Sequence, residues 1–291
     1  MSLASWKTGS TPIFAVALAA ALALCAAPAQ GRDYDEWLKT SAAPYEEIVH
    51  VAVRKDVDEP VLLSMASAEQ KPKRILMLFP GYPGIMRLQM KDGRIWLKLL
   101  GNYLLRSRAR FVDTETAAAS VDAPTDQYCC FDDLFRLGNT HAADVGRIID
   151  ALEARFPGAQ ITLVGTSKGT VSVAPLAAAL GPRIAGAVMT STVTRATRSG
   201  TGLSSFDFGT VKTPMLFVHH RYDACYATPY GVVRDLAEKH RFPLVTVTGS
   251  QGARGPDCEA FSNHGFRGRE KEVAAAIMQW VKTRAVAPTI E

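Results

Sequence analysis

Ile161-Thr162-Leu163-Val164-Gly165-Thr166-Ser167-Lys168-Gly169 runs from an apolar stretch into a Gly-x-Ser-x-Gly turn, and an Ala-rich segment from Val171 to Leu180 follows. Strand, tight turn and helix in that order form the setting of a nucleophile elbow. There a serine sits on a turn too cramped for larger neighbours, with its hydroxyl exposed. The pentapeptide alone is weak: in a chain with 22 glycines it arises by chance roughly 0.1 times per sequence. The rest of the chain must supply the context.

Working outward, the chain alternates strand-like and helix-like patterns from about Glu47 onward. Val51–Val53 and Val61–Met65 read as an early hairpin, and Arg74–Phe79 as a strand buried on both faces. Ala117–Val121 is a short strand. Ala142, Val145, Ile148, Ile149 and Leu152 recur at helical spacing until Pro157-Gly158 stops the helix. Ile184–Met189, Met215–Val218 and Leu244–Val247 read as further strands. Thr228-Pro229 reads as an N-cap and first helical residue of a helix running to His240, and Val273, Ile277, Trp280 and Val281 mark a closing helix. Pro175 falls inside the helix after the turn, where a kink is expected. This alternation predicts an α/β fold: a mostly parallel central sheet with helices on both faces.

The 291 residues, 47% of them hydrophobic, can bury a full core. Lys7, an apolar stretch from Ile13 to Ala27 and the small-x-small site Ala27-Pro28-Ala29 have the order of a secretory signal peptide. Residues 1–29 are therefore expected to be removed, leaving 30–291 as a single domain in the periplasm or outside the cell. No stable membrane insertion is expected after cleavage; an uncleaved anchor is the competing reading, and the segment is short for it. Export leaves Cys129, Cys130, Cys225 and Cys258 in an oxidising compartment, with three possible pairings. None shows metal-site spacing. The net charge of +5 is modest, and the densest basic group, Arg106-Ser107-Arg108-Ala109-Arg110, lacks interleaved aromatics. It reads as a solvated helix end, and no nucleic-acid partner is expected.

A serine hydroxyl needs a base, a group that orients the base, and donors for the oxyanion. Catalytic groups of a parallel sheet sit at the carboxyl ends of its strands. Asp223 lies in the loop beyond Met215–Val218; the rival Asp207 is the first carboxylate after Ile184–Met189. Among six histidines, only His264 follows the last strand. It lies in Ser262-Asn263-His264-Gly265-Phe266, just before the closing helix. His50 and His141 lie too early, His240 suits a helix end, and His219 and His220 read as structural. The first oxyanion donor is expected to be the Lys168 amide at a helix start, without need of its side chain. The second is the Tyr82 amide in Phe79-Pro80-Gly81-Tyr82-Pro83-Gly84.

The order Ser167, Asp223, His264, with the Gly165–Gly169 turn and the Gly81 loop, resembles the α/β-hydrolase superfamily from about residue 47 to 283. Pro80 stands where many relatives carry histidine. The resemblance implies an acyl-enzyme on Ser167, with His264 as base and acid and Asp223 holding the imidazole. It requires no cofactor and no metal. A Cys225–Cys258 bond would tie the acid loop to the base loop and stabilise the fold by roughly 3–4 kcal/mol. Cys129 and Cys130 are open between a vicinal bond and burial or pairing elsewhere. The Thr-, Ser- and Gly-rich segment before Met215 is too short for a cap domain, so a minimal lid and an exposed cleft are expected. Small-molecule or polymer-end carboxylic esters are the expected substrates. A peptidase or acyltransferase with the same triad, and a non-catalytic envelope binding protein on this fold, are the alternatives.

Overall fold

The computed structural model describes residues 41–291. The signal peptide expected over residues 1–29, and a mature start near Gln30, lie outside the described residues.

Strand β1 (Tyr45–Arg54) turns back antiparallel on β2 (Val57–Met65), the hairpin expected from the valine pattern. Then come β3 (Arg74–Phe79), a small hairpin of β4 (Gln89–Lys91) and β5 (Arg94–Trp96), and β6 (Thr116–Val121). The remaining strands are β7 (Gln160–Thr166), β8 (Gly186–Thr190), β9 (Met215–His220), β10 (Leu244–Val247) and β11 (Thr289–Ile290). One nine-stranded sheet runs in the order β1-β2-β6-β3-β7-β8-β9-β10-β11. Only its first two pairings are antiparallel; every pairing from β6 onward is parallel. From β3 the chain passes to β6 on one side and to β7 on the other. The sheet therefore has its switch point beside the end of β3, where such sheets open a crevice for ligands.

The helices bounded within the described residues are α1 (Tyr103–Arg106), α2 (Asp133–Arg136), α3 (Asn139–Arg155), α4 (Gly169–Ala179), α5 (Tyr230–His240) and α6 (Glu270–Thr283). Strand alternation sorts the core to the two faces of the sheet. Ile75, Met77 and Phe79 of β3 pack with Val145, Ile149 and Val173 from α3 and α4. Leu76 and Leu78 pack with Leu104, Val273, Ile277 and Trp280 from α1 and α6. The continuous apolar run of β3 thus reports a strand covered on both sides.

Helix α4 continues through Pro175, and the Leu180 amide still reaches the Leu176 carbonyl at 2.8 Å. Burial of most of its residues offsets the bond that the proline ring removes. The basic cluster is not a solvated end. Arg106 pairs with Glu270 at 3.1 Å and Arg108 with Glu46 at 2.7 Å, and both guanidinium groups are buried. At α5 the N-cap is Pro229 rather than Thr228, whose hydroxyl is engaged elsewhere.

His141 on α3 is fully buried, ringed by Phe79, Phe131 and Phe135, with no hydrogen-bond partner for either nitrogen. Burial, reinforced by the Arg136 charge, pulls its pKa down to about 3. His219 is likewise pulled down to about 4, burial being the main cause. A histidine kept neutral in the fold is protonated first in the unfolded chain, so stability is full above the unfolded pKa of about 6.5. It falls as pH drops below that value until the folded pKa is reached, with a slope of up to about 1.4 kcal/mol per pH unit for each histidine. Urea midpoints between pH 7 and pH 4 should therefore decline, and His141→Phe should flatten the decline. An unchanged slope in that variant would remove His141 from the account.

Candidate active site

The turn after β7 is set by close approach. A Cβ at Gly165 would lie 2.8 Å from the Gly169 carbonyl oxygen, and one at Gly169 would lie 2.0 Å from that of Phe79. Both contacts are shorter than a side chain tolerates, so the motif's glycines are required by packing. Between them Ser167 takes φ 51°, a left-handed conformation that costs a non-glycine residue energy. Its amide donates to Thr190 O at 2.9 Å, continuing the β7–β8 ladder. The serine is partly exposed while its neighbours Thr166 and Lys168 are buried.

Lys168 stands at the N-cap position of α4, beside a first turn whose amides find no partner inside the helix. Its side chain takes a larger part than the sequence suggested. Nζ lies 2.5 Å from Asp133 Oδ1 on α2, and donates at 3.0 Å to both the carbonyl and the hydroxyl of Ser199. Asp133 Oδ2 in turn accepts from the Gly202 amide at 2.8 Å. Burial pulls the Lys168 ammonium below its ordinary value, with Asp133 opposing the shift.

Asp223 follows β9 in a turn closed by its amide on His220 O. Its Oδ1 accepts from the Cys225 amide at 2.9 Å, and its Oδ2 meets His264 Nδ1 at 2.9 Å. Burial works to raise this carboxyl, yet the hydrogen bond and charge of His264 bring it below the usual carboxylate range. His264 sits in a short 3-10 turn, Asn263–Gly265, capped by Ser262 Oγ. Ser191 Oγ donates to the His264 carbonyl at 2.7 Å, and Asn263 Nδ2 to Tyr222 O at 3.0 Å, so the two loops are pinned together. The structure thus joins Asp223 to His264. It does not join Ser167 to His264 by a hydrogen bond, because Nε2 has no partner. The rival Asp207 is exposed and caps the turn Phe208–Thr210. His219 Nε2 accepts from the Thr192 amide, and His220 bonds to Gly249 O and the Tyr222 amide, both structural roles.

Ser167, Lys168, His264 and Tyr82 all border one cavity of about 440 Å³ at the carboxyl end of the sheet. Gly81 packs directly against Ser167 and Asn102, which brings the loop after β3 to the turn. Leu99, Val193 and Phe261 give the cavity an apolar side, and Asn102, Thr197 and Ser199 a polar one. The segment between β8 and β9 supplies Val193, Thr197 and Ser199 and builds no cap domain, as expected of a minimal lid. A larger hollow of about 1020 Å³ lies between β1 and the β4–β5 hairpin, but no nucleophile–base pair borders it.

Cys225 and Cys258 are disulfide-bonded with Cα atoms 4.6 Å apart, linking the loop of Asp223 to the segment before His264. Cys129 and Cys130 form a vicinal disulfide on the surface. Among the described residues, one cluster has three metal-ligating side chains within 4.8 Å of one another: Asp223, Cys225 and His264. The Cys225 sulfur is taken up by the disulfide, which leaves only the hydrogen-bonded Asp223 and His264 side chains in this cluster. No described helix is long and apolar enough to cross a membrane.

The sequence by itself matches no family profile and no curated relative. The fold does find likenesses. The chain is similar to Est1E from Butyrivibrio proteoclasticus, at TM-score 0.57 and 12% identity, over 81% of this chain and 97% of that one. It is similar to XC6422 from Xanthomonas campestris, a serine hydrolase without a lid, at TM-score 0.54 and 13% identity, over 83% and 95%. A cold-adapted esterase from an Arctic intertidal metagenomic library matches at TM-score 0.50 and 17% identity, over 80% and 92%. With its parallel sheet, its turn after β7 and its short segment before β9, this chain has the α/β-hydrolase fold.

Proposed function

We propose that the chain is an exported serine hydrolase that cleaves carboxylic esters through an acyl-enzyme on Ser167. One observation carries the reading: a buried Asp223–His264 hydrogen bond borders the same cavity as a serine held at positive φ. His264 Nε2 takes the proton of Ser167 Oγ as the oxygen attacks the ester carbonyl carbon. The amides of Lys168 and Tyr82 receive the oxyanion. Collapse expels the alcohol, which takes the proton from Nε2, and water then repeats the sequence to release the acid. Asp223 stays ionised and holds the imidazolium through Nδ1–H. The Ser167–His264 contact forms with substrate, as catalytic hydrogen bonds that are loose in a free enzyme often do.

The cold-adapted esterase among the structural likenesses supports ester cleavage, and the leader-like order of residues 1–29 together with two disulfides supports export. A cavity of about 440 Å³ suits small esters or the end of a polymer. The residues from Gln30 onward are proposed as one catalytic domain. The test is a fluorophosphonate probe on the folded protein, followed by peptide mapping and a panel of esters beside matched amides. A single adduct on Ser167 and turnover of esters over amides are expected. Folded protein that takes no label would refute the reading.

A further inference from the structure

We infer that Thr228 is a positioning residue for the acid–base pair, one hydroxyl fixing both Asp223 and the protonated Nδ1 of His264; the inference rests on the hydrolase reading above. Thr228 lies in the loop between β9 and α5 and is fully buried. Its Oγ1 donates to Asp223 Oδ2 at 2.8 Å and stands 3.2 Å from His264 Nδ1. With the 2.9 Å contact between Nδ1 and Oδ2, these atoms close a triangle. A second acceptor for the hydroxyl, Cys225 O, lies farther away at 3.4 Å and is uncharged, so the carboxylate takes the proton.

The position is one where threonine ordinarily does something else. A hydroxyl at the entrance of a helix usually caps it. Here Pro229 occupies the N-cap of α5, no side chain caps that helix, and the Thr228 hydroxyl turns back to the acid. The Thr228 amide donates to Cys225 O at 3.0 Å, while the Cys225 amide donates to Asp223 Oδ1. Both carboxylate oxygens are thereby held from one short stretch of chain.

The chemistry follows from the donor count. A hydroxyl has one proton and two lone pairs. With the proton committed to Asp223, the Thr228 oxygen can present only lone pairs to Nδ1. A proton on Nδ1 then forks between Asp223 Oδ2 and Thr228 Oγ1. The opposite tautomer would set the bare Nδ1 lone pair against two oxygens. Thr228 thus favours the tautomer that leaves Nε2 free to accept a proton, and it limits rotation of the carboxylate away from the ring.

The test compares wild type, Thr228→Val and Thr228→Ser. Measurements are kcat and KM on the best ester, thermal melting, and the far-downfield proton resonance of His264 Nδ1–H. Valine keeps the shape and removes the hydroxyl; serine keeps the hydroxyl. Valine should lower kcat about tenfold to a hundredfold with KM within about twofold, and serine should stay within about threefold of wild type, the scale of one hydrogen bond to a charged group. The downfield signal should persist with serine and shift or vanish with valine. Wild-type kcat in the valine variant, or equal loss in both variants, overturns the inference. The resonance needs no turnover, so it keeps the two readings apart. A wild type inert to fluorophosphonate refutes ester hydrolysis, whereas an identical signal in wild type and valine variant refutes the role of Thr228.

Discussion

Replacing Ser167 with glycine is expected to abolish ester hydrolysis and, at the same time, to make the protein more stable. Loss of the nucleophile should lower kcat/KM by about 10⁴- to 10⁶-fold, leaving only the rate contributed by binding and the oxyanion donors. The stability gain has a separate origin. Ser167 holds φ 51° between two glycines that cannot be enlarged, so the turn imposes a left-handed conformation on a residue with a Cβ. That conformation costs a non-glycine residue roughly 1–2 kcal/mol, and glycine escapes it. Greater freedom of glycine in the unfolded chain returns part of the gain, about 0.5–1 kcal/mol. The net should be a rise of about 1 kcal/mol, or roughly 2–4 °C in Tm for a domain of this size. Ser167→Ala is the control: it should be as inactive as the glycine variant but melt with the wild type, since alanine keeps the strained Cβ. Measurable esterase activity in either variant would move the nucleophile elsewhere. Equal melting of all three proteins would show that the turn stores no strain at this position.

Much of this arrangement was legible because each piece sits where a strand ends. The run Arg74–Phe79 reads as a strand covered on both sides, and it is one. The glycines flanking Ser167 read as a tight turn, and the contacts of Gly165 and Gly169 explain it. The loops of Asp223 and His264 could be named from order alone, since each is the first suitable residue beyond its strand. What escaped the sequence was side-chain direction. Thr228 before a proline carries the same letters whether its hydroxyl caps α5 or turns back to Asp223, and only the packed loop decides. Arg106 and Arg108 look solvated because their acidic partners Glu270 and Glu46 are distant along the chain. At Lys168 the sequence points only to the backbone amide, and the ion pair with Asp133 joins residues 35 positions apart with no local pattern to announce it.

That ion pair is the basis of the second large effect. Lys168→Met is expected to destabilise the protein by about 3–5 kcal/mol, because it strands a buried carboxylate rather than merely deleting a contact. The Lys168 ammonium donates to Ser199 O and Ser199 Oγ and is ion-paired with Asp133 Oδ1. Methionine fills the space of the stem and supplies none of these interactions. Asp133 would keep its bond from the Gly202 amide and the more distant field of Arg136, but lose its ion-paired counter-charge at a site with almost no solvent access. At roughly 2–4 °C per kcal/mol, Tm should fall by about 10 °C. The consequence reaches function through the cavity wall. Thr197 and Ser199 border the cavity beside Ser167, and Lys168 anchors their loop to the start of α4. Loosening that wall should raise KM more than it lowers kcat, opposite to the pattern expected for Thr228→Val. A cycle with Asp133→Leu tests the coupling. If the two charges act as a pair, the double variant should be clearly more stable than the sum of the single losses requires, since neither charge is left buried alone. Additive losses would mean that Lys168 and Asp133 contribute independently, and that the 197–202 wall is held by its own turn rather than by the lysine beside Ser167.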